Sequence, residues 1–201
     1  LSSADHSTTP PRVTVPRQYN AAHDLIQRNL KAGRAGKAAF IDDAGSYSYG
    51  ELAERVNRFG NVLAGLGMRR EERVMLCLLD TIDFPTAFLG CIQAGIVPIA
   101  ANTLLTPKDY DFMLGDSRAQ TLVVSEALWP AVESIVGNHP TLKNIIVSGK
   151  DGKGHLLMSE LMAKAGTGFD PAPTTCDDFC FWLYSSGSTG TPKGTVHLHS
   201  H

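Results

Sequence analysis

Apolar residues recur along this chain in two alternating rhythms. Over residues 51–66, Leu52, Val56, Phe59, Leu63 and Leu66 return at three- and four-residue steps, and Gly67 stands where a left-handed C′ residue belongs. That spacing predicts a helix. Residues 73–79 are instead a nearly unbroken apolar run, the pattern of a strand covered on both faces. The rhythm then repeats. It predicts a helix over 84–94 closed by Gly95, a strand over 96–101, a helix over 108–114, a strand over 121–125, a helix over 127–136 and a strand over 144–147. Alternation of this kind argues for an α/β fold with a largely parallel sheet flanked by helices.

Upstream, Asn20 is placed to cap a helix reaching about Leu30, with Gly33 and Gly36 ending it. Residues 37–42 and 46–49 read as a hairpin about Asp43, Ala44 and Gly45. Residues 1–18 are rich in Ser, Thr and Pro and are expected to be a disordered leader. An α/β subdomain is expected over 19–165, a linker over 166–178, and a strand–loop–strand unit over 179–201.

Composition narrows the function classes. At 201 residues, 43% hydrophobic and 19% charged, the chain has ordinary globular usage for one domain or slightly more. A net charge of −2 gives no electrostatic footprint for nucleic acid or for an anionic membrane. No apolar run approaches the roughly 18–20 residues of a membrane span, and the N-terminus lacks the apolar segment of a secretory signal. Cys77 and Cys91 fall in expected core elements, while Cys176-x-x-x-Cys180 lacks zinc-ribbon spacing and a second pair. A reduced, cytoplasmic protein is the expectation.

The chemistry concentrates in residues 181–194, Phe-Trp-Leu-Tyr-Ser-Ser-Gly-Ser-Thr-Gly-Thr-Pro-Lys-Gly. A short apolar strand runs into a loop of hydroxyls and glycines that carries one lysine. Glycines let backbone approach an anion, hydroxyls and N–H groups donate to it, and the ammonium neutralises it. A Walker A loop would place Ser or Thr after the lysine and open a helix. Here Gly194 follows Lys193, and Thr195-Val196-His197-Leu198-His199 alternates at period two, as a strand does. The order is strand–loop–strand, and Walker A is rejected.

Tyr184 to Gly194 resembles the phosphate-binding signature of the adenylate-forming superfamily of acyl- and aryl-CoA ligases, Y-[TS]-S-G-[TS]-T-G-x-P-K-G, at every constrained position. Tyr47-Ser48-Tyr49-Gly50-Glu51-Leu52, the segment from Phe88 to Pro98, and Asn102 with Leu105-Thr106 resemble further elements of that family. Ala39 to Asp43, Leu79 to Asp83 and Asn102 to Thr106 are most similar to its benzoate-CoA and related aryl-CoA ligases.

The resemblance implies the N-terminal part of the large domain of an adenylate-forming enzyme, with members far longer than 201 residues. The chain is therefore expected to be a fragment without turnover of its own. The whole enzyme is expected to be an acid–thiol ligase that uses ATP, Mg²⁺, coenzyme A and an aromatic carboxylate. By position, Ser185, Ser186, Ser188 and Thr189 would donate to the β- and γ-phosphates. Gly187 and Gly190 would keep the backbone close, Thr191 would complete the loop, and Lys193 would place an ammonium by the triphosphate. No catalytic residue and no metal ligand is assigned. The alternatives are a fatty acyl-CoA synthetase branch and a non-catalytic nucleotide-binding or interaction module.

Three other features have plainer readings. His197, His199 and His201 alternate and would share a strand face, but they lack the ligand count of a zinc site. Ser185 and Ser186 with Lys193 do not make a Ser-Lys amidase, since a second catalytic serine element is absent. Trp129 and Trp182 read as core or interface anchors.

Overall fold

The computed structural model describes residues 1–185 and 192–201. After a small leader hairpin, β1 (Ser3–Asp5) with β2 (Arg12–Thr14), come α1 (Ala21–Lys31), β3 (Ala38–Asp42), β4 (Gly45–Ser48) and α2 (Tyr49–Gly65). These are followed by β5 (Arg73–Cys77), α3 (Asp83–Gln93), β6 (Val97–Ala100), α4 (Pro107–Ser117) and β7 (Thr121–Ser125). The chain continues through β8 (Asn144–Ser148), β9 (Leu156–Leu157), α5 (Met158–Lys164), β10 (Phe179–Ser185) and β11 (Lys193–Leu198). Seven strands form one sheet in the order β11-β10-β6-β5-β7-β8-β9, parallel throughout except that β11 runs antiparallel to β10.

Period two along the buried strands sorts their side chains between two cores. Val74 and Leu76 of β5 pack with Phe59 and Leu63 of α2 and Ala87 and Cys91 of α3 on one face. Met75 and Cys77 pack with Tyr110, Met113 and Leu114 of α4 on the other. The helices start where the sequence offers caps. Ser48 and Glu51 form a capping box on α2, Thr106 and Asp109 one on α4, and the Asn20 side chain accepts from the His23 N–H at the head of α1. Buried Asn20 also donates from Nδ2 to the Ile92 carbonyl at 2.9 Å, which ties the start of α1 to the end of α3.

Three expectations change. The stretch 127–136 is not an α-helix but a 3₁₀ segment, Glu126–Ala131, with Pro130 inside it. Pro130 has no N–H to continue an α-helical ladder, and a second short 3₁₀ turn, Val136–Asn138, follows. The leader is not without structure, because the Ser2 hydroxyl and N–H donate to buried Asp24 of α1 and Arg28 donates to the Ser2 carbonyl. The stretch 166–178 is packed on the domain: Asn61 Nδ2 of α2 donates to the Gly166 and Gly168 carbonyls and Asn57 Nδ2 to that of Thr167, and the Ala172 N–H then donates to the Gln93 carbonyl at the end of α3. The strand–loop–strand unit joins the main sheet, since Trp182 and Leu183 pair with Ile99 and Ala100. The leader, the 166–178 stretch and the sheet pairing depend on contacts between residues distant in sequence, whereas the 3₁₀ segment follows from Pro130 itself. Helix α5, two turns long, packs Met158, Leu161, Met162 and Ala165, at i, i+3, i+4 and i+7, against the α2–α3 face of the core.

Candidate functional site

The loop signature is carried by the β10–β11 hairpin. Its last cross-strand pair is Ser185 with Lys193, both exposed, and the pair behind them is Tyr184 with Gly194. Ser185 and Lys193 therefore stand side by side where the loop leaves the sheet. Ser186, Gly187, Ser188, Thr189, Gly190 and Thr191 lie outside the described residues.

The residues behind the loop have structural work that sequence reasoning missed. A Cβ placed on Gly194 would stand 3.4 Å from Cζ of Tyr184, so the tyrosine ring lies over the glycine. An aromatic ring over a cross-strand glycine covers backbone that the glycine leaves bare. The Tyr184 hydroxyl donates to Asp116 Oδ2 at 2.6 Å, near the end of α4. Burial, and then this hydrogen bond to a carboxylate, hold the phenol well above its ordinary range. Trp182 packs half-buried against the α4 core, with the Arg73 guanidinium 5.9 Å from its ring centroid. An Asp one residue before a helix end carries no periodic signal, so nothing in the sequence marked Asp116.

His199 parts from the other two histidines, whose rings meet edge-on with centroids 5.8 Å apart. His197 stacks on Phe181 with centroids 4.5 Å apart, and β11 ends at Leu198. His199 turns inward, 4% exposed, where its Nδ1 accepts from the Ala21 N–H at 3.1 Å. His201 Nδ1 instead accepts from the Leu198 N–H. Among the described residues no three His, Cys, Asp or Glu side chains could hold a metal ion together.

Burial lowers the His199 pKa to about 4; Asp178 opposes that shift and Arg70 adds to it. In the unfolded chain the imidazole binds its proton near 6.5, so between pH 6.5 and 4 the unfolded state takes up a proton that the folded state refuses. The His199 contribution to stability should therefore fall as pH drops across that window, by about 3 kcal/mol, and carboxylates held below their usual range, Asp24 and Asp178 among them, take stability down further in more acid solution. Urea titrations from pH 7 to 4 test this. His199→Asn, whose amide oxygen can still accept from Ala21, should flatten the slope, and an unchanged slope would remove His199 as its source.

A second concavity, of about 1260 Å³, opens beyond the C-terminal ends of β5, β7 and β8. Open α/β sheets commonly bind ligands at that edge. Here Asp83 accepts from Arg55 at 2.5 Å and from Ser148 Oγ at 2.6 Å, and Lys153 pairs with Glu126. The lining carries Asp42, Asp43, Asp80, Asp83, Glu126 and Glu133 against Arg55, Lys150 and Lys153. That excess of carboxylates repels a triphosphate.

The sequence profile of the family described as AMP-binding enzyme matches residues 26–201. The chain is 57% identical over its whole length to the benzoate–CoA ligase of Thauera aromatica, of which it covers 38%. Over 184 residues it is 46% identical to the 4-hydroxybenzoate–CoA/benzoate–CoA ligase of Rhodopseudomonas palustris, covering 92% of this chain and 34% of that one. Its fold is similar to a benzoate CoA ligase from Burkholderia xenovorans LB400, with a TM-score of 0.81 at 45% identity over 90% of this chain and 35% of the other. It is also similar to the anthranilate CoA ligase AuaEII, solved with anthranoyl-AMP. There the TM-score is 0.88 at 36% identity, over 92% of this chain and 36% of that one. The chain thus spans 34–38% of the length of these relatives.

Proposed function

The chain belongs to the AMP-binding enzyme family, and from that premise we propose that it supplies the triphosphate-handling part of an ATP-dependent carboxylate–CoA ligase acting on benzoate-type acids. The observation that carries this reading is the Tyr184–Gly194 signature on the β10–β11 hairpin, with Ser185 and Lys193 exposed at the loop's mouth. The likeness to aryl-CoA ligases of Thauera and Rhodopseudomonas supports the substrate class.

The reaction has two halves. A carboxylate oxygen attacks the α-phosphorus of ATP, forming an acyl-adenylate as the bond to pyrophosphate breaks. The thiol of coenzyme A then displaces AMP to give the thioester. Charge grows on the departing pyrophosphate in the first half, and donors already in place are what lower that barrier. Ser185, Ser186, Ser188 and Thr189 would donate hydroxyl hydrogen bonds there, Gly187, Gly190 and Thr191 would supply close backbone, and Lys193 would supply the positive charge. Magnesium enters as part of the Mg·ATP substrate. Four free cysteines support a reducing, cytoplasmic setting, and among the described residues no helix is long and apolar enough to cross a membrane.

The test is AMP release by the full-length protein with ATP, coenzyme A and a panel of acids. Benzoate and its ring-substituted analogues should be preferred over acetate and palmitate. Preference for palmitate would move the protein to a fatty acyl branch, and no release with any acid would overturn the ligase reading.

A further inference from the structure

We propose that Asp116 and Tyr184 form a positioning clamp that sets the phosphate loop for Mg·ATP, an inference that rests on the ligase reading above. The clamp is a closed circuit of contacts. Arg73, the first residue of β5, donates from Nε to the Ser117 carbonyl at the end of α4 and lays its guanidinium over Trp182 of β10. Asp116, next to Ser117, accepts from the Tyr184 hydroxyl at 2.6 Å. Tyr184, two residues beyond Trp182, lies over Gly194 of β11. The circuit therefore runs from β5 to the end of α4, across to Tyr184 of β10 and back through Trp182 to Arg73 of β5, with β11 joined to it where Tyr184 covers Gly194.

Its place is what gives it a role. Tyr184 directly precedes Ser185, and Gly194 directly follows Lys193, so the clamp grips the residues that bracket the loop on both strands. Among the described residues the β10–β6 ladder pairs Trp182 with Ile99 and Leu183 with Ala100, and so stops two residues short of the end of β10 at Ser185. Beyond Leu183 that ladder does not fix the angle of the hairpin's open end. The hydrogen bond to α4, which is packed on the sheet through Tyr110, Met113 and Leu114, anchors that end to the core. Because reaction rates depend steeply on placement at the 1 Å scale, a tilted loop would bind the triphosphate in the wrong place. The bond itself is exposed, so its removal affects the loop's angle more than the fold.

The clamp predicts a specific kinetic pattern in the full-length protein. Tyr184→Phe and Asp116→Ala should each lower kcat/KM for Mg·ATP in acid-dependent ATP–pyrophosphate exchange by about tenfold. The double variant should be no worse than either single, because each removes the same bond. Asp116→Asn keeps an acceptor oxygen and should restore most of the rate. Thioester formation from preformed benzoyl-adenylate should be unchanged in all of them, since pyrophosphate has already left. Melting temperatures should stay close to wild type. Wild-type exchange in both single variants, additive losses, equal losses in the two half-reactions, or a clearly lowered melting temperature would overturn the clamp. A wild-type protein without acid-dependent exchange would overturn the ligase reading and the clamp with it. Normal wild-type exchange with unaffected variants would overturn the clamp alone.

Discussion

Lys193→Ala in the full-length protein should depress acid-dependent ATP–pyrophosphate exchange by about 10²-fold or more while leaving the melting temperature nearly unchanged. The size follows from what one preorganised donor contributes where charge develops in a transition state, ~10²–10³ in rate. The lack of a stability effect follows from position. Lys193 opens β11, is exposed, and pairs across the ladder with the equally exposed Ser185. Exposed substitutions away from caps and buried networks cost within about 0.5 kcal/mol. Lys193→Arg separates charge from shape. It keeps the positive charge but spreads it over a planar fork, and it should recover only part of the rate. A Lys193→Ala enzyme that exchanges pyrophosphate normally, or one that melts early, would remove the role assigned to the ammonium.

Gly90→Val should cost at least about 2–3 kcal/mol, because the crossing of α2 and α3 has no room for a side chain there. A Cβ on Gly90 would stand 2.9 Å from Cδ1 of Phe59 and 3.0 Å from its Cβ, and Phe59 is fully buried. The phenyl ring cannot swing into solvent to make way, so the two helices would have to separate. Alanine is the informative control. It adds the same Cβ but gains about 1 kcal/mol of helix propensity over glycine, so Gly90→Ala should fall between wild type and the valine variant. Thermal melts followed by circular dichroism decide it. A Gly90→Val protein that melts like wild type would mean that the helices cross with slack.

Local patterns determined much of this protein. The period of Leu52, Val56, Phe59 and Leu63 produced α2, with all four residues buried. The apolar runs over 73–79 and 121–125 produced β5 and β7, and their alternation with helices is enough for a parallel α/β sheet. The loop signature was legible because phosphate binding needs glycines, hydroxyls and a lysine contiguous in sequence. Tertiary structure decided what depends on neighbours distant along the chain. It brought Tyr184 to Asp116, 68 residues earlier. It turned His199 inward against the start of α1, although its alternation with His197 and His201 predicted one shared face. It also laid residues 166–168 against α2 and attached β10 to β6. Periodicity reports which face of an element avoids water, and a motif reports chemistry made by adjacent residues. Neither carries information on which distant side chain completes a hydrogen bond, and that part of the site is set only when the chain packs.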